Sequence, residues 1–139
     1  MTPNPPDAEI ARILTGVTRI ALVGASDNPA RASHGVGTFL ARRGARVVPV
    51  NPALVGQSLF GVPAVATLAE AGPVEMVDVF RRSDAVPGVV DEALGLVGLE
   101  VIWLQLGVVH EEAAARARAR GITVVQDRCP KIEVARLGL

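Results

Sequence analysis

Ile20-Ala21-Leu22-Val23 runs directly into Gly24-Ala25-Ser26-Asp27-Asn28-Pro29. A helical stretch from Ser33 to Arg43 follows, and then Val47-Val48-Pro49-Val50. The order is apolar run, small-residue turn, amphipathic segment, apolar run. Val36, Phe39 and Leu40 share one face of the amphipathic segment, which stops at Gly44. The same alternation continues outward, with further apolar runs at Val74 to Phe80, Val101 to Leu106 and Ile122 to Val125. These runs are rich in Val and Ile and mostly lack the polar alternation of a strand with one wet face, so both faces are expected to be covered by helices.

The intervening segments supply those helices. Asp84 to Leu96 begins with an acidic N-cap candidate and carries Val86, Val89, Val90, Ala93 and Leu94 on one stripe. His110 to Arg120 has Glu111 and Glu112 at its start and Arg118 and Arg120 at its end, matching the helix dipole. A shorter helix is expected at Thr67 to Ala71 and another over residues 7–15, after the Pro-rich start. Parallel strands need crossover connections of fixed hand, so the sequence specifies an α/β fold. It is expected to be a single doubly wound domain over residues 1–139 with a five-stranded, mostly parallel sheet.

Composition narrows the function. Fourteen Lys plus Arg balance fourteen Asp plus Glu, so no general basic field would gather nucleic acid or anionic lipid. One cysteine, Cys129, and two scattered histidines, His34 and His110, leave no metal-ligand spacing. The start lacks a secretory pattern, and no run approaches the roughly 18 apolar residues of a membrane span, so a cytoplasmic location is expected.

Ligands of doubly wound sheets bind beyond the carboxyl ends of the strands. After the first strand, Gly24-Ala25-Ser26 either packs the turn on the sheet or admits a phosphate to the main chain at a helix N-terminus. Gly35 and Gly37 at the helix opening favour close ligand approach, and Arg31 offers a cation. The dinucleotide fingerprint G-x-G-x-x-G is absent, and the second strand ends in Asn51-Pro52 with no acid to hold ribose hydroxyls, which weakens a nicotinamide reading. Asn51 is a turn former or a contact to adenosine. After the third strand, Phe80-Arg81-Arg82-Ser83 brings two arginines to the sheet edge, and Arg81 is the candidate for forking onto a phosphate; Arg42, Arg43 and Arg46 are surface charge. Gln105 interrupts an apolar run, either satisfying backbone groups or facing a ligand amide, with Gly107 allowing the turn below it. Trp103 and Cys129 read as packing residues, with Cys129 as a nucleophile the alternative. Asp127, Arg128, Lys131 and Glu133 suit a local ion-pair network.

Together Gly24-Ala25-Ser26 with Pro29, Val50-Asn51-Pro52, Asp78-Val79-Phe80-Arg81, Trp103-Leu104-Gln105-Leu106-Gly107 and Asp127-Arg128-Cys129-Pro130-Lys131-Ile132-Glu133 resemble the CoA-binding domain family of small stand-alone proteins. That family is similar to the CoA-binding domain of the succinyl-CoA synthetase alpha subunit. The resemblance implies a Rossmann-like sheet with coenzyme A at its carboxyl edge. It places pyrophosphate at the Ser26 turn, the adenosine half beside Asn51 and Pro52, and the remainder along Phe80, Arg81, Gln105 and Gly107. The expected cofactor-binding set is therefore Gly24, Ala25, Ser26, Arg31, Gly35, Val36, Asn51, Pro52, Phe80, Arg81, Gln105 and Gly107, with no catalytic and no metal-ligating residue. The phosphohistidine domain of the synthetase has no counterpart here, so ligase activity is not expected. The competing expectations are an acyl-CoA-processing enzyme using Cys129, a nicotinamide oxidoreductase, and a protein-interaction domain whose site is empty.

Overall fold

The computed structural model describes residues 2–139. Five parallel strands form the sheet: β1 (Arg19–Val23), β2 (Arg46–Val50), β5 (Met76–Val79), β6 (Val101–Leu104) and β7 (Thr123–Val125), in the order β2-β1-β5-β6-β7. The chain leaves β1 for its neighbour on one side and returns as β5 on the other. The sheet is therefore doubly wound, and the point where strand order reverses lies between the carboxyl ends of β1 and β5.

Alternate residues of each strand enter two separate cores. Ile20, Leu22, Met76, Val101, Trp103 and Val125 pack beneath α1 (Asp7–Gly16), α2 (Ala32–Arg42) and α5 (Pro130–Leu137). Ala21, Val23, Val77, Val79, Ile102 and Leu104 pack beneath α3 (Val86–Ala93) and α4 (Glu111–Ala119). Burial on both faces is why the strands read as unbroken apolar runs. No helix among the described residues is long and apolar enough to cross a membrane.

Several elements differ from the sequence expectation. Asp84 caps nothing: a 3-10 turn covers Ser83–Ala85, and α3 starts at Val86 from an Ala85 N-cap with a proline in its first turn. Asp84 instead meets Arg82 at 3.5 Å. Thr67 to Ala71 condenses to a 3-10 turn at Ala69–Ala71. Helix α5 was not anticipated, because Cys129-Pro130 reads as a break, whereas proline there occupies the first helical turn and needs no N–H acceptor. Also unanticipated is the hairpin of β3 (Ser58–Leu59) and β4 (Val62–Pro63), whose corner residues Phe60 and Gly61 both take positive φ, 56° and 75°. Its Phe60 ring lies where a Cβ on Gly37 would stand, so Gly37 is small for hairpin packing. The ion-pair cluster near the C-terminus forms with different members. Glu133 takes Arg128 (3.4 Å) and Arg136 (3.0 Å), and Arg136 continues to Asp7 (2.8 Å); Lys131 stands 6.0 Å over the Phe39 ring and Asp127 turns elsewhere.

Candidate functional site

The site starts from a close approach of two strand ends. Phe80 N–H donates to the Val23 carbonyl at 2.8 Å and Gly24 N–H to the Val50 carbonyl at 3.1 Å, pulling the ends of β1, β2 and β5 together. Gly24 has φ of 85°, and a Cβ there would run into the Phe80 carbonyl oxygen. Glycine is thus required by the backbone packing itself.

Beyond Gly24 the turn is pinned by its own side chains. Ser26 Oγ accepts from Asn28 N–H at 3.1 Å, and Asn28 Oδ1 accepts from Ala30 N–H at 2.9 Å. Helix α2 then begins from Arg31 without a side-chain cap, so its first N–H groups are left to whatever arrives from outside the helix. Those donors and the positive end of the helix dipole suit an anion. Ser33, in that first turn, is buried, and Arg31 is exposed beside it.

Asn51 ties this turn to the second strand. Its Nδ2 donates to the Ala25 carbonyl and its Oδ1 accepts from Ala53 N–H, both at 2.9 Å. The amide acts as a turn former that fixes the wall of the cleft, and its second N–H and the second lone pair of Oδ1 remain for a ligand.

Two open clefts meet along Gly24 and Asn51. One, of about 490 Å³, is lined by Gly24 to Asp27, Arg31 to Ser33, Asn51, Ala53, Leu54 and Phe80. The other, of about 340 Å³, is lined by Val23, Gly24, Val50 to Pro52, Ala66 to Leu68, Arg81, Val89 and Glu92. Arg81 and Arg82 part company here. Arg81 lines the smaller cleft, while Arg82 projects into solvent with its side chain 88% exposed and its charge facing Asp84.

Of the residues expected from sequence, the clefts gather Gly24, Ala25, Ser26, Arg31, Asn51, Pro52, Phe80 and Arg81. The other four lie outside these linings. Gly35 is exposed on α2 with open space around it, and Val36 is a core residue. Gly107, at φ of 78°, donates its N–H to Asp127 Oδ1 at 2.7 Å, and Gln105 is buried at 5% exposure. Conversely, Ser33, Thr67, Leu68, Val89 and Glu92 line the clefts and were not expected. Ser33 had a signal, its place in the first turn of a helix that follows a small-residue turn. Thr67 and Leu68 had none. They reach the sheet edge because Val65 pairs with β2, through Asn51 N–H to the Val65 carbonyl (2.9 Å) and Val65 N–H to the Pro49 carbonyl (3.0 Å).

Other groups at this end serve the framework. His110 Nδ1 accepts from Ala113 N–H at 3.1 Å as the cap of α4, and the His34 ring lies 5.9 Å from that of Phe60. Cys129 is buried at the N-cap of α5.

Comparison with known proteins agrees with this fold. A family model described as CoA binding domain matches residues 18–135. Over 130 residues the chain is 44% identical to the YneT protein of Bacillus subtilis (strain 168), covering 93% of this chain and 94% of that one. Among solved structures, the Thermus thermophilus protein known as cell-free ID.343 superposes with a TM-score of 0.90 at 40% identity, covering 96% of this chain and 99% of that one. A protein of Pyrococcus horikoshii OT3 also gives 0.90, at 31% identity, with 100% and 99% covered. A dinucleotide forming acetyl-coenzyme A synthetase from Ca. Korarchaeum cryptofilum, solved with phosphate and ADP, shares the fold at a TM-score of 0.65 and 23% identity, covering 81% of this chain and 26% of that larger one.

Proposed function

Since this chain belongs to the CoA binding domain family, we propose that it acts as one Rossmann-like binding domain that takes coenzyme A, or an acyl-CoA, across its two joined clefts without performing chemistry on it. The observation that carries this reading is the meeting of the clefts at Gly24 and Asn51, on the reversal point of strand order. Coenzyme A is an elongated molecule with a pyrophosphate between two unlike halves. A binding surface for it needs an anion-receptive centre with room on either side. The Ser26 turn and the uncapped start of α2 supply the centre, with Arg31 beside one cleft and Arg81 in the other. Formal net charge is zero, so local placement of these cations replaces a general field.

The engagement of the reactive groups supports the reading of a binding role without catalysis. Cys129 is buried, His110 caps a helix and His34 packs on Phe60. No described contact pairs a base with a nucleophile. The test is Ser26→Phe. A bulky ring at the turn would deny a phosphate hydrogen-bond reach of the main chain, so the folded variant should lose coenzyme A binding. Unchanged affinity in a folded Ser26→Phe protein would refute the placement.

A further inference from the structure

The central strand carries a carboxyl group that nothing described so far uses. Asp78 lies in β5 between Leu22 of β1 and Trp103 of β6, is 0% exposed, and has no hydrogen-bond partner for either oxygen. An ionised carboxylate in such surroundings is costly, and burial pushes this group well above the usual carboxylate range. Strand alternation places Asp78 on the side of the sheet that holds Met76 and Trp103. Gln105 follows β6 on that same side, two residues beyond Trp103, and its Oε1 is also buried and unpartnered. The diagonal between neighbouring strands is within reach of a side chain as long as glutamine.

Neighbouring polar side chains are engaged elsewhere. Trp103 Nε1 donates to the Arg128 carbonyl at 2.9 Å, and Glu133 is held by Arg128 and Arg136. Both ends of the Asn51 amide are bonded to main chain. The buried unpartnered donor among the described residues, Arg118 Nη1, belongs to the opposite face with Val124, so Asp78 and Gln105 Oε1 are left as acceptors, and two acceptors satisfy each other only if one carries a proton.

We propose that Asp78 is folded into the sheet as the neutral acid and donates its hydroxyl to Gln105 Oε1, making Asp78 a positioning residue that fixes the Gln105 amide at the carboxyl edge. The pair rests on the strand register and on the burial of two unpartnered groups on one side of the sheet. Its consequence for ligand affinity rests on the coenzyme A reading, in which the pantetheine half extends past the linings of the two clefts towards Gln105.

Infrared difference spectroscopy of the full chain at neutral pH, wild type against Asp78→Asn, tests the pair directly. A protonated-carboxyl carbonyl band should be present in wild type, absent from Asp78→Asn, and displaced in Gln105→Leu. The Gln105 side-chain carbonyl band should keep its hydrogen-bonded frequency in wild type and in Asp78→Asn, and rise in Asp78→Ala. An ionised Asp78, which would need the Gln105 amide turned over to offer its NH2, would overturn the proposal. So would a carboxyl band indifferent to Gln105→Leu. On calorimetric titration with coenzyme A, Asp78→Ala should bind about ten-fold more weakly and Asp78→Asn within about two-fold of wild type. Wild type that binds no coenzyme A while the infrared band behaves as stated would remove the functional reading and leave the pair standing. Folded Asp78→Ala with wild-type affinity and an unchanged Gln105 carbonyl frequency would overturn the positioning role.

Discussion

Replacing Arg81 by alanine separates a placed charge from general charge, because the structure supplies a built-in control in the next residue. Arg81 lines the smaller cleft beside Gly24, Asn51 and Pro52, whereas Arg82 projects away from both clefts and faces Asp84. Two opposite charges about 4 Å apart attract by roughly 1 to 4 kcal/mol between bulk water and a protein surface. Arg81 is exposed, so screening places its contact with a phosphate in the lower half of that range, about 1 to 2 kcal/mol. That corresponds to a loss of about five-fold to thirty-fold in coenzyme A affinity for Arg81→Ala. Arg82→Ala removes the same formal charge but should change affinity by less than about two-fold, as expected of a solvated charge outside the site. Isothermal titration of both variants at one ionic strength, with melting curves to confirm equal folding, is the assay. Equal losses would show that the arginines act through net charge, and the assignment of Arg81 to the cleft would fall.

Other consequences follow from the same geometry. Gly24→Ala forces a side chain at positive φ against the Phe80 carbonyl and should destabilise the fold by roughly 2 to 5 kcal/mol, on the order of 10 °C in Tm; a wild-type melting curve would refute the close approach. Glu92 shares the smaller cleft with Arg81, so Glu92→Gln should tighten coenzyme A by about two- to five-fold in calorimetry, and weaker binding would show that its carboxylate is a ligand contact. Asp78 carries a raised folded-state pKa, so its stabilising share is complete below the unfolded value of 3.8 and is lost as pH rises above it, because folding must then take up a proton. That loss is about 1.4 kcal/mol per pH unit until the folded-state value is reached. Denaturant melts should therefore find Asp78→Asn close to wild type near pH 4 and more stable at pH 7, and equal stability across that range would contradict a neutral buried acid.

The sheet was legible from sequence because its strands are buried on both faces, which leaves Ile20 to Val23 or Val101 to Leu104 without polar alternation. The carboxyl-edge logic likewise located Gly24, Ser26, Asn51 and Arg81, since each sits just past a strand end. What stayed hidden was set by contacts distant in sequence. Gly24 looks like a phosphate-loop glycine and is also demanded by Phe80, a residue more than fifty positions away. Thr67 and Glu92 become cleft residues only when the bridge at Val65 and the packing of α3 bring them to the edge. Helix α5 and the 58–63 hairpin were invisible for a different reason. The hairpin's two-residue strands are too short to show a period, and the signals of the two elements, a proline in the first helical turn and a Phe-Gly corner at positive φ, read from sequence alone as loop. At the N-terminus, the Asn4 side chain makes two hydrogen bonds of 2.8 Å with the main chain of Gln126, a pairing that no local pattern announces.

Calorimetric titration of the purified wild-type chain with coenzyme A and, separately, with NAD tests the central claim most directly. Coenzyme A should give a saturable one-to-one heat, because the uncapped start of α2, the Ser26 turn and Arg81 offer its phosphates local partners. NAD at the same concentration should neither bind appreciably nor compete, since β2 is followed by Asn51-Pro52 with no acid for the ribose hydroxyls. No heat with coenzyme A, or tight NAD binding that displaces it, would contradict the account.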